Sequence, residues 1–320
     1  MLTLRPFTSD DTAAWQKLVA NSSAGTLFHD LDFLAYHGDR FAEATHHLMW
    51  YNGGALFGLM PLGIFEEDGR KIAKSPYGAS YGGLVFDNRL NYSKAAECVD
   101  LFVTYLNEQG IDECRITPPI RCCSANPCDT VLFAFLEKGF KITNSDISNV
   151  VALEGADLWG NIHSKSRNMV RKAEKLGVEV RFRQSAADFW QLMDATFSRH
   201  GVSPTHSLEE WEWLCNKFPD KVWADIAYLD ETPIAGVGHF VINERVDSSF
   251  YLARHPDFHH TQGMYLLISE VLKNSQQLGY KSFDFGTSSV NMEARGNIFL
   301  FKERFGAHGE FRHTLTWQKN

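Results

Sequence analysis

A polar loop that leads into a glycine-opened helix is the part of this sequence best suited to bind an anion. Residues 254–262 separate a predicted strand from a predicted helix that begins at Gly263. The first N–H groups of a helix have no partner within it, and the helix dipole favours negative charge there. A glycine also lets the backbone approach a phosphate closely. The residues predicted to hold the phosphates are His260, Gln262 and Gly263, with His259 beside them.

A lysine between phenylalanines is the second candidate for chemistry. Lys302 follows Phe301 and precedes Phe305 in a short predicted helix that runs from Asn297 to Arg304. A cation against apolar walls can stabilise the oxyanion of a tetrahedral intermediate, an effect of roughly 3–4 kcal/mol per donor. The alternative is a surface lysine on an amphipathic helix.

Asp284 ends a predicted strand, 280–285, in the same half of the chain. A carboxylate buried near a bound donor can act as a general base. An aspartate at a strand end can equally well accept hydrogen bonds from loop amides. Both interpretations stay open for Asp284 at this point.

A basic segment gives the third candidate. Between residues 163 and 183 there are seven Lys or Arg and two Glu, which is +5 (7 − 2) in a chain whose net charge is −8. Lys165, Arg167 and Arg171 lie on a predicted helix, 164–176, where an arginine near the N-terminus can clamp a phosphate. The alternative is a solvated cationic face that covers an acidic neighbour.

Other residues carry weaker predictions. Tyr77 and Tyr81, in a Gly/Ser/Tyr-rich stretch, could line an acceptor groove between domains. His239 is better explained as a hydrogen-bonded core histidine than as a cleft residue. The cysteines at 122, 123 and 128 fit no zinc-ligand spacing, so no metal site is expected. No G-x-S-x-G motif or Ser-His-Asp order supports hydrolase chemistry.

The elements that position these residues alternate between strands and helices. In the first half, Asn52-Gly53-Gly54 predicts a hairpin turn. The predicted strands there are 46–51, 55–65, 111–117 and 147–153, and the predicted helices are 92–109 and about 129–138.

The second half repeats a similar order. Asp230-Glu231-Thr232 predicts another hairpin. The predicted strands are 178–183, 222–229, 233–242, 248–253, 280–285 and 310–317. The predicted helices are 164–176, 186–200, 207–218, about 263–278 and 297–304.

The two halves can be aligned on each other. Gly58 matches Gly236, Gly110 matches Gly279, and Phe140 matches Phe305, at offsets of 178, 169 and 165 residues. Glycines after helices are common, so chance is the alternative explanation. Duplication is favoured, and it predicts two α/β domains, residues 1–153 and 154–320, each with a similar order of strands and helices.

Composition limits the class of protein. Hydrophobic residues make up 44% of the 320 residues and charged residues 22%, which excludes a disordered chain, a collagen and a mini-protein. There is no apolar run of roughly 18 residues and no secretory signal pattern, so we expect no transmembrane segment and a cytoplasmic location. The acidic balance argues against duplex DNA as a partner.

The motifs together resemble the GNAT acyltransferase superfamily in its tandem FemAB-like form. His260-Thr-Gln-Gly263-Met-Tyr265 is similar to the pyrophosphate loop, with His260 and Tyr265 as departures. Phe283-Asp284-Phe285-Gly286 and Asn297-Ile-Phe-Leu-Phe301-Lys302-Glu-Arg-Phe305-Gly306 are similar to the FemAB-like strand end and Phe-Lys segment. Arg167-Asn-Met-Val-Arg171-Lys-Ala resembles a FemAB-like helix whose arginine meets an acceptor phosphate.

The resemblance implies two tandem GNAT-like domains, each a mostly antiparallel central sheet flanked by helices, the first without a glycine loop. It places Lys302 by the acyl donor, and it makes Met264 and Phe301 further donor-binding residues. It implies transfer of an acyl group from acyl-CoA to an amine acceptor, either a small molecule or a cell-envelope precursor. A peptidyltransferase that uses charged tRNA is the alternative within the family. A non-catalytic module that binds a nucleotide-linked saccharide or polyanion is the alternative from another class.

Overall fold

The computed structural model describes residues 1–198 and 203–319, which fold into two compact units. The first unit comprises Met1–Asp146 and Phe311–Asn320, and the second comprises Ile147–Glu310. The sequence divides the chain at 153/154, whereas the structure divides it at 146/147 and returns the last strand to the first unit. Two long strands, β8 (Lys141–Ala152) and β16 (His308–Gln318), each run through a boundary, which a linear division of the sequence does not represent.

The strands of the first unit pair in two sets. β1 (Leu2–Pro6), β2 (Leu48–Asn52), β3 (Ala55–Met60) and β6 (Val85–Phe86) lie in the order β1-β2-β3-β6. β4 (Gly63–Glu67), β5 (Arg70–Ser75) and β7 (Glu113–Ile116) lie in that order, and β7 also pairs with β16.

The helices of the first unit include two that the sequence predicts. Its helices are α1 (Thr12–Asn21), α2 (Leu31–Leu34), α3 (Tyr92–Glu108) and α4 (Thr130–Glu137). α3 begins after Asn91, whose side chain accepts a hydrogen bond from the N–H of Lys94, and its chain turns at Gly110 with φ 64°. Its buried face, which includes Phe102, packs in the core of this unit with Trp50 and Phe140.

One predicted strand of the first half is wrong in extent. The sequence pattern predicts one strand over 55–65, but Pro61 divides it into β3 and β4, which pair with different neighbours. A proline has no N–H for the ladder, which explains the interruption. The predicted hairpin at Asn52-Gly53-Gly54 is confirmed, because β2 and β3 pair antiparallel around it.

The second unit is built on one run of paired strands. β9 (Glu179–Gln184), β10 (Val222–Leu229), β11 (Thr232–Asn243) and β12 (Val246–Arg254) are successively antiparallel. β13 (Ser282–Thr287) pairs parallel with β12 and antiparallel with β8. β14 (Ser289–Val290) and β15 (Glu293–Ala294) form a short hairpin.

Helices cover both faces of this sheet. They are α5 (Leu158–Asn161), α6 (Ser164–Lys175), α7 (Ala186–Ser198), α8 (Leu208–Lys217), α9 (Gly263–Gln277) and α10 (Gly296–Glu303). The end of the predicted helix 186–200 lies outside the described residues. α9 buries Leu267 and Val271 against the sheet in a core with Phe283. No helix in the described parts of the chain has both the length and the apolar character to cross a bilayer.

The repeat predicted from the sequence has a counterpart in the topology. In the first unit, α3 leads through Gly110 into β7, which lies parallel to β5. In the second, α9 leads through Gly279 into β13, which lies parallel to β12. Each pair is followed by a short helix, α4 or α10, and by a long strand, β8 or β16. The predicted mixed α/β fold class is confirmed.

Candidate functional site

A pocket opens at the N-terminus of α9 in the second unit. Its empty volume, which includes open solvent, is about 430 Å³, and four of the predicted donor-binding residues line it: Gln262, Gly263, Met264 and Phe301. Arg254, His255 and His259 line it as well. The pocket therefore combines a helix N-terminus with basic side chains, which is an arrangement suited to a phosphate group.

The backbone that leads into α9 explains the shape of this pocket. β12 ends at Arg254, a short 3₁₀ segment spans Pro256–Thr261, and Gln262 adopts a left-handed conformation with φ 61° before α9 begins. A side-chain Cβ at Gly263 would lie 2.6 Å from Cδ1 of Ile234, which lines the same pocket. Packing against Ile234 is thus a reason for this glycine in addition to ligand approach.

His260 lies in the loop that leads to the pocket and contacts neighbouring loop residues. Among the described residues that line the pocket, His260 is absent. Its Nδ1 lies 3.2 Å from the carbonyl oxygen of Asp257, and its ring stacks against Phe258 with centroids 6.4 Å apart. Of the two histidines that the sequence analysis places near the phosphates, His259 lines the pocket, and the phosphate-binding role of His260 stays a prediction.

Aromatic contacts connect the pocket to α10. Tyr265, in the first turn of α9, has its ring centroid 5.5 Å from that of Phe301 and 5.9 Å from that of Phe305. Phe301 lines the pocket, and Lys302 is the next residue along α10. The glycine-opened helix and the Phe-Lys helix therefore both border the pocket, the latter through Phe301, whereas Lys302 is not among the described lining residues.

The two parallel strands beside the pocket separate along their length. Within the described residues, the segment Val246–Ser248 of β12 pairs with the segment Ser282–Asp284 of β13. The pairing stops there, although β12 continues to Arg254 and β13 to Thr287. Gly286, with φ 73°, lies in this gap, where a Cβ would point to the carbonyl oxygen of Ser249 at 3.9 Å. Gly286 adds no side chain to the gap, and β12 beyond Ser248 has no register partner on β13 among the described residues.

The predicted catalytic residues form a buried polar network at the end of β13. Asp284 is 2% exposed, and its Oδ1 accepts hydrogen bonds from Ser148 Oγ at 2.6 Å and from Gly286 N at 2.8 Å. Lys302 is 3% exposed, and its Nζ donates to the carbonyl oxygens of Gly286 and Thr287, both at 2.8 Å. Burial lowers the pKa of Lys302 to about 8, although the charge of Asp284 opposes the shift. The structure thus brings Lys302 and Asp284 together, and their catalytic roles stay predictions.

Comparison with known proteins agrees with this geometry. Residues 161–294, which contain α6 to β15, match the family described as "Acetyltransferase (GNAT) domain". The chain carries a GNAT domain. No curated protein gives a significant match.

Solved structures extend the fold similarity over the whole chain. The crystal structure of FemX has a TM-score of 0.73 at 13% identity and covers 99% of this chain and 98% of its own. A tandem GNAT protein from the clavulanic acid biosynthesis pathway has a TM-score of 0.54 at 13% identity, with coverage of 99% and 98%. The C-terminal domain of a putative lysylphosphatidylglycerol synthetase from Agrobacterium fabrum has a TM-score of 0.64 at 13% identity, with coverage of 96% and 91%. At these identities the likeness shows a shared tandem GNAT fold.

The basic helix α6 belongs to the GNAT domain and presents its residues in two ways. Arg167 is half-buried, and its Nη1 donates to the carbonyl oxygens of Trp159 at 3.1 Å and Gly160 at 3.2 Å. Arg171 is exposed, and its guanidinium lies over the Trp159 ring at 5.4 Å. Lys165 is also exposed. Arg167 therefore has a structural role in holding α5, whereas Lys165 and Arg171 remain accessible for an anion.

Tyr77 and Tyr81 belong to the first unit and are buried there. The hydroxyl of Tyr77 lies 3.0 Å from Thr45 Oγ1, and its ring packs against Phe41 and Phe65. The guanidinium of Arg312 lies over the Tyr81 ring at 5.1 Å. Within this unit both rings are part of the packing, and their acceptor-binding role stays a prediction.

His239 is buried in the GNAT domain, as the core interpretation predicts. Its Nδ1 lies 2.9 Å from Asp247 Oδ1, and its Nε2 lies 3.1 Å from Asp225 Oδ2. Burial lowers the pKa of His239, but the carboxylates of Asp247 and Asp225 outweigh burial and raise the pKa to about 10. Ser275, near the C-terminal end of α9, donates to Asp247 Oδ2 at 2.6 Å. This charged core sits under the end of α9 opposite the pocket.

Proposed function

We propose that the protein transfers an acyl group from acyl-CoA to an amine acceptor, with the donor held in the GNAT domain. The observation that carries the proposal is the position of the pocket at the N-terminus of α9, next to the gap between β12 and β13. The pocket offers donors for a diphosphate. At the gap, β12 beyond Ser248 has no register partner on β13 among the described residues, so its backbone can pair with an extended amide-containing arm such as that of CoA.

The chemical step follows from this placement. The lone pair of the acceptor amine attacks the thioester carbonyl, and the resulting tetrahedral oxyanion collapses with the thiolate as leaving group. One proton leaves the amine, and the thiolate takes up a proton. In this proposal Lys302 supplies positive charge near the developing oxyanion, and Asp284 receives or relays the proton through its contact with Ser148. Positioning of the two substrates contributes to the rate as well.

The acceptor is proposed by chemical class only. The GNAT domain supports an amine acceptor, either a small molecule or a cell-envelope precursor. Basic groups on α6 that are exposed, Lys165 and Arg171, would contact a phosphate of such an acceptor. FemX and the lysylphosphatidylglycerol synthetase domain share the fold, and their similarity adds cell-envelope components to the acceptors worth testing.

A charged tRNA is the second candidate donor, and the basic face of α6 is the observation that favours it. Phosphates of a nucleic acid would interact with these side chains in a salt-dependent manner. Transfer from aminoacyl-tRNA would place the acyl ester, rather than the thioester, beside Lys302.

Thermal unfolding with each donor separates these candidates. A ligand at 100 times its Kd stabilises the folded protein by about 2.7 kcal/mol. We expect acetyl-CoA to raise the Tm and charged tRNA to leave it unchanged. If charged tRNA raises the Tm and acetyl-CoA does not, aminoacyl-tRNA takes the place of acyl-CoA as the proposed donor. Binding of acetyl-CoA without acyl transfer to any amine in a panel would support a binding module that lacks catalysis.

A further inference from the structure

We infer that Arg254, oriented by His259, is the cation that recognises the phosphate groups of the donor, in the place that the sequence motif gives to residue 260. The inference rests on the proposed function, because it names the group that holds the donor in the same pocket. Both side chains line the pocket at the N-terminus of α9, and His260 is not among the described lining residues. The ligand chemistry is a diphosphate.

The backbone of Arg254 is fixed on both sides. Arg254 is the last residue of β12 and pairs with Ala235 of β11. Its N–H donates to Thr196 Oγ1 at 3.0 Å, and its carbonyl oxygen accepts from the same hydroxyl at 3.1 Å. The guanidinium therefore extends from a backbone position that the sheet and Thr196 hold in place.

The contact between Arg254 and His259 has a defined direction. Nη1 of Arg254 lies 2.9 Å from Nδ1 of His259. A guanidinium can only donate, so Nδ1 of His259 must accept with its lone pair. The ring then carries its proton on Nε2, which makes His259 a second donor. The histidine orients the guanidinium and leaves the remaining Arg254 N–H groups for an anion.

Arg254 also keeps its charge available. In the described ranges 1–198 and 203–319, no carboxylate forms an ion pair with it, whereas Arg181 and Arg183 in the same unit face acidic side chains. A planar guanidinium can bind two phosphate oxygens at once. Arg254 provides the charge that the loop lacks at position 260, beside the positive end of the α9 dipole. The N–H of Gly263 there donates to Thr261 Oγ1 at 3.3 Å, and the N–H of Tyr265 donates to the carbonyl oxygen of Gln262 at 2.9 Å, so the guanidinium supplies most of the donors.

Calorimetric titration with acetyl-CoA and with inorganic diphosphate tests this assignment. Arg254→Ala should lower the affinity for both ligands about tenfold to a hundredfold, because hydrogen bonds to charged groups contribute that much to affinity. Arg254→Lys should recover part of the loss, since it keeps the charge without the planar fork. Arg89→Ala, which removes an exposed arginine of the first unit that pairs with Asp87, is the matched control and should bind like the wild type.

The outcomes separate this inference from the proposed function. If the wild type binds acetyl-CoA and Arg254→Ala binds it equally well, Arg254 is not the cation that recognises the phosphates. The proposal that acyl-CoA is the donor is unaffected by that result. If His260→Ala loses more affinity than Arg254→Ala, residue 260 keeps that role and the inference is overturned. If the wild type binds diphosphate in an Arg254-dependent manner but not acetyl-CoA, the inference holds and the CoA donor fails. Binding of neither ligand overturns both.

A double-mutant cycle tests the positioning role of His259. In the wild-type background, His259→Ala should lower the affinity for acetyl-CoA several-fold. In the Arg254→Ala background the same substitution should lower it much less, because the histidine acts partly through the arginine. His259→Asn, whose side-chain oxygen can accept from Arg254, should recover part of the loss. Losses that simply add in the double variant would contradict the positioning role.

Discussion

The ammonium nitrogen of Lys302 donates a hydrogen bond to the carbonyl oxygen of Gly286 over 2.8 Å, and Thr287 accepts a second bond of the same length. The lysine therefore connects α10 to the end of β13, where the strand leaves its parallel partner. Asp284, two residues before Gly286, binds the N–H of that glycine. Hydrogen bonds from Lys302 and to Asp284 thus hold Gly286 in place at the gap that we propose for the acyl donor.

Removal of the Lys302 ammonium should affect both the rate and the stability. Lys302→Met leaves two carbonyl oxygens without a donor, so we expect a loss of about 2 kcal/mol in unfolding free energy. Loss of the positive charge should lower the rate of acyl transfer about a hundredfold. Urea unfolding and initial rates measure the two effects. Lys281→Met, at an exposed lysine paired with Glu154, is the control and should change neither strongly. A wild-type rate in Lys302→Met removes Lys302 from the reaction.

The lowered pKa of Lys302 predicts a pH dependence. Burial lowers this pKa from 10.5 to about 8. Between these values the unfolded lysine binds more protons than the folded one, so this residue contributes rising stability as the pH increases from about 8 to 10.5. If the reaction needs the ammonium, the rate should fall above pH 8 in the same range. Lys302→Arg, which stays charged, should show no such fall. An identical alkaline limb in Lys302→Arg and the wild type contradicts the assignment.

The contact between Gly263 and Ile234 predicts a compensating pair of substitutions. A Cβ at residue 263 would lie 2.6 Å from Ile234 Cδ1, so Gly263→Ala should cost about 1–3 kcal/mol of stability through overpacking. Ile234→Val removes that methyl group and alone should cost about 0.5–1.5 kcal/mol. Urea unfolding of the double variant should show a smaller loss than the sum of the two. Strict additivity would mean that the backbone, and not Ile234, accommodates the new methyl.

The sequence predicts the elements of the GNAT domain well because their signals are local. The apolar period of α9 and the stop at Gly279 lie within one stretch of chain, and so does the loop around Gln262 and Gly263. β5 (Arg70–Ser75) escapes prediction because its residues are mainly polar and its place is set by pairing with β7.

The candidate site is predicted in its position and less well in its contacts. Lys302 meets its carbonyl partners across 15 and 16 residues of sequence, which no local pattern reveals. Arg254 ends β12 and lines the pocket, and its contact with His259 reaches into the 3₁₀ segment, where neither the α-helical nor the strand period applies. A basic residue just before a polar loop that opens a helix is the signal by which it could have been found.

The two kinds of contact on α6 predict different effects for neighbouring basic residues. Arg167 donates to two carbonyls at the end of α5, so Arg167→Ala should lower the unfolding free energy by about 1–3 kcal/mol. Lys165→Ala removes an exposed charge and should change it by less than about 0.5 kcal/mol. If α6 binds a polyanion, Lys165→Ala should weaken binding and reduce its salt dependence, as measured by filter binding at several salt concentrations. If Arg167→Ala and Lys165→Ala change the unfolding free energy equally and change polyanion binding equally, Arg167 and Lys165 do not have these separate structural and binding roles.

The buried Asp225–His239–Asp247 cluster predicts an alkaline loss of stability in the GNAT domain. The folded pKa of His239 is raised well above its ordinary value of 6.5, because the carboxylates of Asp247 and Asp225 outweigh burial. The folded state therefore binds more protons than the unfolded state above pH 6.5. The stabilisation is fully present below that pH and is lost as the pH rises toward the folded pKa.

Asp225→Asn tests this cluster with little change in shape. The Asn oxygen can still accept from the N–H of Arg183, as Asp225 Oδ1 does at 2.9 Å, while one negative charge near His239 is removed. For each pH unit by which the pKa of His239 falls, the loss of unfolding free energy at alkaline pH should become smaller by about 1.4 kcal/mol. Urea unfolding from pH 6 to 10 measures this difference. Asp220→Asn, an exposed carboxylate near Arg183, is the control and should follow the wild-type profile. Parallel profiles for the wild type and Asp225→Asn would show that His239 is not held as a cation by this carboxylate.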